Sequence, residues 1–295
     1  MSMKASLIIP TLNAQAQLPA LIDALRAQTV APQEILVVDS QSEDGTAQTA
    51  RQLGCRVEVI ERASFDHGGT RDMALRMTDG DAVVFMTQDA MPAHARSLEQ
   101  LLAPLADPAV AAVGGRQIAR PEARPYERLV RTFNYPEQSR TWTQADIPAL
   151  GIRAYLISDV FAAYRRTAYL DVGGFDHPLP TNEDMLMAQR LLAAGYTLAY
   201  SGEAAVIHSH AFTWRQEYRR NRAIGRIMER YSGRFGCGEV GEGMTLVRRV
   251  TAQLLREGHG IECAAFALNC SARLLGNRAG RREERRARGK RQSYY

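Results

Sequence analysis

Cysteine is scarce in this 295-residue chain. The four present, Cys55, Cys237, Cys263 and Cys270, form no C-x-x-C pair and no dense framework. That spacing argues against a structural zinc or a disulfide scaffold and suits a reducing compartment. Long apolar runs are also missing: stretches such as Ala264–Leu268 fall far short of the roughly 20 residues a bilayer-spanning helix needs. The chain opens Met-Ser-Met-Lys and enters an apolar strand directly, without the apolar core and cleavage site of a secretion signal. A cytoplasmic protein is expected. No G-x-G-x-x-G follows the first strand, which ends P-T-L-N, so a nicotinamide dehydrogenase is disfavoured. Excess positive charge is absent from most of the chain. Seven basic against two acidic residues between Arg281 and Arg291 account for the whole net charge of +5. No nucleic-acid partner is expected; a one-ended excess fits an anionic surface, such as a membrane leaflet, met from the C-terminal side, or a solvated tail.

The chain is rich in an alternation of short apolar runs and amphipathic helices. Ala5–Pro10, Glu34–Asp39 and Arg56–Ile60 read as strands, and Leu18, Leu21, Ile22 and Leu25 carry the helical i, i+3, i+4, i+7 spacing. A polar turn leads into a further helix from about Thr46 to Leu53. Strand, helix, strand, helix, strand at this pitch predicts an α/β protein with a parallel, doubly wound sheet. Ala82–Met86 has the length and β-branched content of a fourth, fully buried strand, and it ends in Thr87-Gln88-Asp89. In open α/β sheets ligands collect beyond the carboxyl ends of the strands. Asp89 there can hold a divalent cation against a phosphate, or simply cap the helix after it.

Asp39, at the end of the second strand, can accept the N3–H of a uracil or thymine, or begin an Asx-turn with Ser40 and Ser42. Ser64–Arg71 places two glycines and an arginine before an expected helix. Free backbone N–H groups and the guanidinium fork suit an anion; a plain tight turn is the other reading.

The ordered set Ile9-Pro10-Thr11-Leu12-Asn13, Val38-Asp39-Ser40 with Asp44-Gly45-Thr46, Gly-Gly-Thr-Arg71 and Thr87-Gln88-Asp89 resembles family 2 of the inverting glycosyltransferases. His67-Gly-Gly-Thr-Arg and Thr87-Gln-Asp-Ala-Met-Pro are most similar to its bacterial rhamnosyltransferase-like branch. The resemblance implies a GT-A nucleotide-diphospho-sugar transferase fold: a mostly parallel central sheet flanked by helices, with a helical C-terminal extension. It divides the chain into a transferase domain over 1–240 and a helical extension with basic tail over 241–295. It also implies a nucleotide site lined by Pro10, Thr11, Asn13, Asp39, Ser40, Arg71 and Gln88. Asp89 matches the final acid of the family's D-x-D metal motif, whose first acid is Thr87 here. Mg²⁺ or Mn²⁺ is the implied cofactor, and one carboxylate can suffice when phosphates and waters complete the shell.

In the second half, Pro121, Pro125, Pro136 and Pro148 interrupt the pattern. Tyr126, Leu129, Val130 and Phe133 keep helical spacing and read as core. Tyr135 and Trp142 fall outside it and are candidate acceptor-stacking residues. Asp159–Tyr164 reads as a strand. Asn182-Glu183-Asp184 can be a helix cap with first-turn acids. The resemblance makes it the E-D pair, with Asp184 as general base beside Glu183. The helix N-terminus would keep that carboxylate ionised. His208 and His210, read as the end of a strand, would share one face and could supply metal ligands opposite Asp89. Ile261–Leu275 reads as a last apolar helix before the charged tail.

The expected activity is inverting transfer of a sugar, best matched by L-rhamnose from dTDP-L-rhamnose, to a saccharide or lipid-linked acceptor for cell-surface polysaccharide. A UDP-sugar donor and a non-catalytic nucleotide-sugar-binding protein are the alternatives. Peripheral attachment to the cytoplasmic face of a membrane would fit the basic end.

Overall fold

The computed structural model describes residues 3–210, 212–235 and 240–292; Cys237 lies outside them. Two compact units emerge. The first comprises residues 1–118, 135–179 and 183–208, and the second residues 119–134, 180–182 and 209–295.

The first unit carries the sheet. Strand β1 (Ala5–Thr11) is followed by α1 (Leu18–Arg26), β2 (Glu34–Asp39), α2 (Thr46–Gln52), β3 (Arg56–Val59) and α3 (His67–Arg76). Then come β4 (Ala82–Met86), β5 (Met91–Pro92), α4 (Ser97–Leu102) and β6 (Val110–Ile118). The order β3-β2-β1-β4 is parallel throughout, as the βαβ rhythm predicts. β1 runs one residue past Pro10. Its pairing with β4 has already ended at Ile8, so the missing N–H breaks no bond on that side. The apolar face of α1, Leu18, Leu21, Ile22 and Leu25, is fully buried on the sheet. Each such side chain stabilises the fold by about 1.5–3 kcal/mol.

Helix α5 (Pro125–Asn134) belongs to the second unit. The first unit resumes with β7 (Arg140–Trp142), α6 (Ile147–Leu150), β8 (Phe161–Arg165), α7 (Arg166–Asp171), α8 (Glu183–Ala193) and β9 (Thr197–Ile207). β8 lies antiparallel between β4 and β6, β6 and β9 are parallel, and β5 and β7 pair antiparallel with β9. The nine-stranded sheet is therefore mixed, and the parallel expectation describes its first four strands.

The second unit adds α9 (Trp214–Arg230), α10 (Val240–Arg256) and α11 (Gly260–Gln292) to α5. Tyr126 of α5 packs with Val250 and Leu254 of α10 and Phe266 of α11. The expected core role of that aromatic is met. The last helix does not stop at Leu275: it continues through the charged segment to Gln292. Opposite charges on α9 explain the continuation. Arg222 pairs with Glu283 at 2.8 Å, Arg230 with Glu284 at 2.9 Å, and Arg285 with Glu229 at 2.7 Å. The two backbones also meet closely, because a Cβ at Gly280 would collide with the Arg222 carbonyl oxygen. Among the described residues, no helix is long and apolar enough to cross a membrane.

Candidate functional site

Three parallel strands deliver polar side chains to one end of the sheet. At the ends of β1 and β2, Thr11 and Asp39 are buried, and Thr11 Oγ1 donates to Asp39 Oδ1 at 3.1 Å. Ser42 completes the turn: its Oγ donates to Asp39 Oδ1 at 2.5 Å and its N–H to Oδ2 at 2.9 Å. The Asx-turn reading of Asp39 is thus realised, with Ser40 buried beside it. Asn13 joins the two loops, its N–H donating to Ser42 Oγ and its Oδ1 accepting from Glu43 N–H. Gln88, beyond β4, clasps the backbone of Leu12 in both directions, at 2.7 and 3.1 Å. Pro10, Thr11, Asn13, Asp39, Ser40 and Gln88 therefore gather around one set of loops. The Gln88 amide is engaged in holding the β1 loop.

Arg71 is placed differently from the expectation. The helix already begins at His67, so the glycines lie inside its first turn, and the Gly69 N–H donates to the Asp66 cap at 2.7 Å. A Cβ at Gly68 would collide with the Asp176 carbonyl oxygen, which accounts for a glycine there. Arg71 itself is 4% exposed. Its Nη1 donates to Glu183 Oε1 at 3.1 Å, and its Nε lies 3.6 Å from Asp159 Oδ2. The fork is directed at carboxylates of this chain.

The acids around Arg71 form the electrostatic centre. Asp159 is 3% exposed, Glu183 is 5% exposed and Asp184 is half-buried at the start of α8. One guanidinium faces three carboxyls, so full ionisation leaves an uncompensated negative charge in a poorly solvated place. Burial, opposed by Arg71 and reinforced by Glu183, pushes Asp159 up to about 7. Burial, then the charges of Glu183 and Asp159, holds Asp184 well above the usual carboxylate range. The helix N-terminus was expected to keep Asp184 ionised. Its pull, about 0.3–1 kcal/mol, is outweighed by desolvation and two like charges. Asp184 is a carboxyl that takes and gives up a proton at higher pH than an ordinary one, the property a general base requires.

A second constellation lies at Asp89. His208 falls just past the end of β9 and is 3% exposed, while His210 is exposed. The alternation expected of a strand does not apply, because both histidines lie beyond it. Even so, one ligand atom from each of Asp89, His208 and His210 lies within 4.8 Å of the others. His208 Nε2 is 3.4 Å from Asp89 Oδ2. At the position of the missing first acid, Thr87 Oγ1 is buried without a hydrogen-bond partner. A carboxylate with two imidazoles fits a divalent transition ion such as Mn²⁺ better than Mg²⁺, which prefers oxygen donors.

The two acceptor candidates separate. Trp142 is 2% exposed and its Nε1–H donates to the Ala154 carbonyl at 2.8 Å, so it is a core residue and offers no stacking wall. Tyr135 is half-buried, and its hydroxyl accepts from Gln117 Nε2 at 2.9 Å. Sequence reasoning missed Asp159 as part of the site, having absorbed it into a strand that begins only at Phe161. The signal was present: a lone acid abutting a wholly apolar run, as at Asp39. Gln117, inside β6, carried no such signal.

Comparison with known proteins gives the family and the fold. The family described as Glycosyl transferase family 2 matches residues 6–173. The O-antigen chain rhamnosyltransferase RfbN of Salmonella typhimurium is 41% identical over 220 residues, covering 74% of this chain and 70% of that protein. WbaN of Salmonella anatum, also an O-antigen chain rhamnosyltransferase, is 41% identical over 217 residues, 73% of this chain and 69% of its own. Among solved structures, the mannosyltransferase PcManGT from Pyrobaculum calidifontis, in complex with GDP-Man and Mn²⁺, superposes with a TM-score of 0.67. It is 17% identical, over 95% of this chain and 87% of that one. S. aureus TarS 1–349 in complex with UDP-GlcNAc gives 0.60 at 18% identity, over 98% and 92%. At such identities the structures share the fold.

Proposed function

The chain belongs to glycosyl transferase family 2, and from that premise we propose that it transfers L-rhamnose from dTDP-L-rhamnose to a saccharide or lipid-linked saccharide. The glycosyltransferase activity follows from the family. The donor and acceptor are inferred from the two O-antigen chain rhamnosyltransferases that are 41% identical to it. The observation that carries the mechanism is the crowding of Asp184 among acids with a single arginine.

Asp184 accepts the proton of the acceptor hydroxyl as that oxygen attacks the anomeric carbon. The bond from that carbon to the diphosphate oxygen breaks in the same displacement, and the nucleoside diphosphate leaves with the electron pair. A single displacement inverts the anomeric centre, so a β-linked donor gives an α-L-rhamnoside. Glu183 and Asp159 hold Arg71 and set the proton affinity of Asp184. Asp89, His208 and His210 are the residues that would hold a divalent cation. Such a cation, when bound, supplies positive charge against the leaving diphosphate. Pro10, Thr11, Asn13, Asp39 and Ser40 line the nucleotide end, where Asp39 meets the base.

The second unit is taken to rest on an anionic membrane surface. Ile261, Leu268, Leu274 and Leu275 are exposed on α11, and exposed Arg278, Arg282, Arg286 and Arg288 follow along the same helix. Apolar contact combined with cationic headgroup contact is the pattern of interfacial helices.

The test is a transfer assay with dTDP-L-rhamnose, UDP-glucose and UDP-N-acetylglucosamine on a lipid-linked saccharide, read by mass spectrometry. Addition of a deoxyhexose mass from the dTDP donor is expected. Transfer from a UDP-sugar alone would replace the donor assignment, and binding of donor with neither transfer nor hydrolysis would favour a non-catalytic binding protein.

A further inference from the structure

We infer that Gln117 is a positioning residue that fixes the tautomer of His208 and so presents its Nε2 lone pair to a divalent cation. The inference rests on the cation reading of Asp89 and His208 given above, and it adds a residue from a different strand.

Gln117 is 2% exposed near the end of β6, in register with Val206 of β9. Its amide nitrogen donates to Tyr135 Oη at 2.9 Å and to Ser158 Oγ at 3.0 Å. Both amide hydrogens are thereby committed. The remaining atom, Oε1, can only accept, and it lies 3.0 Å from His208 Nδ1. His208 must therefore donate through Nδ1–H. A neutral imidazole carries one N–H, so Nε2 is left with its lone pair. That nitrogen lies 3.4 Å from a carboxylate oxygen of Asp89. Two acceptors facing each other repel unless positive charge sits between them; a proton on Nε2 supplies it when no metal is bound, and a divalent cation at Asp89 takes its place. The ring is also held from its backbone, since the His208 N–H donates to the Ile118 carbonyl at 2.8 Å. Ligating histidines generally donate their other ring N–H to such a partner, and losing that partner costs about 10–100-fold in metal affinity.

The experiment uses the full chain and Mn²⁺ alone, without nucleotide. Mn²⁺ affinity is read from the free-ion electron paramagnetic resonance signal. The His208 tautomer of the metal-free protein is read from long-range ¹H–¹⁵N correlation spectra. Wild type is expected to show the Nδ1–H form. Gln117→Leu is expected to weaken Mn²⁺ binding about 10–100-fold. Gln117→Glu keeps an acceptor against Nδ1–H while the Tyr135 and Ser158 hydroxyls turn to donate, and it should restore binding. That rescue keeps the test decisive if the leucine variant unfolds. An Nε2–H tautomer in wild type, as the reversed amide would give, overturns the proposal. So does wild-type affinity in Gln117→Leu when His208→Ala binds weakly. If His208→Ala itself binds Mn²⁺ as wild type does, the cation reading falls and takes this proposal with it. The tautomer spectrum, which needs no metal, shows separately whether Gln117 holds the ring.

Discussion

Replacing Asp159 with asparagine should make the protein more stable above neutral pH, and the gain should grow with pH. Asp159 lies 3.6 Å from the Arg71 Nε and accepts the Tyr164 hydroxyl at 2.8 Å. Its carboxyl is raised from 3.8 to about 7 in the folded chain, by burial first. A folded-state value above the unfolded one means that folding favours the protonated form. The associated stability is complete below about pH 4 and is lost as pH rises through about 7. Linkage across that interval puts the loss at about 2–3 kcal/mol between pH 5 and pH 8.5 for this one group. Asparagine keeps an oxygen for Tyr164 and removes the titration. The difference in unfolding free energy, Asp159→Asn minus wild type, should therefore rise by about 2–3 kcal/mol from pH 5 to pH 8.5. Urea titrations at both pH values measure it, with the slope checked for constancy. A difference that stays flat with pH, or that falls, would refute the charge count of one arginine against three acids.

Asp184→Asn should abolish transfer while nucleotide binding by calorimetry stays within a few-fold of wild type; turnover at the wild-type rate would withdraw the base assignment. Because the Asp184 carboxyl is raised, kcat/KM should climb with pH from the acid side toward neutrality as the base loses its proton, and a profile already flat from pH 5 would contradict it. Gly280→Val should cost about 1–3 kcal/mol or more by overpacking against the α9 backbone. Gly233→Ala, with nothing within 4 Å of a built Cβ, should change stability by no more than about 0.5 kcal/mol; equal melting temperatures for the two would argue against the close helix contact. Leu268→Glu with Leu275→Glu should abolish flotation with phosphatidylglycerol vesicles while leaving the thermal melt unchanged, and undiminished flotation would remove α11 as the membrane face.

The parts of the fold that a sequence reader can recover are those in which the determining neighbours are close in the chain. Ala82–Met86 is bounded by Asp81 and Thr87, and the strand occupies that run with all five residues buried. Trp142 defeats the same method. It sits in a three-residue strand with no period to read, and its burial comes from pairing with Leu198 and from the Ala154 carbonyl. His208 and His210 read as strand residues because nothing local says that β9 ends at Ile207. The acid cluster was half visible. Glu183 and Asp184 announce a helix start, but their dependence on Arg71 and Asp159 spans more than a hundred residues in one case and arises only in three dimensions. Gln117 is the extreme example, an ordinary polar residue in a strand until the ring it faces is known.

The charged C-terminal segment looks detachable in one dimension and is not. Glu283 and Glu284 neutralise Arg222 and Arg230, and Glu229 in turn takes Arg281 and Arg285. Cutting the chain after Gly280 would strip α9 of these counter-ions, so a truncated protein would report damage to the helical pair as well as loss of positive charge. Exchanging the exposed arginines Arg278, Arg282 and Arg286 for glutamine removes charge and leaves the Arg281, Arg285 and Arg288 charges around Glu229 in place.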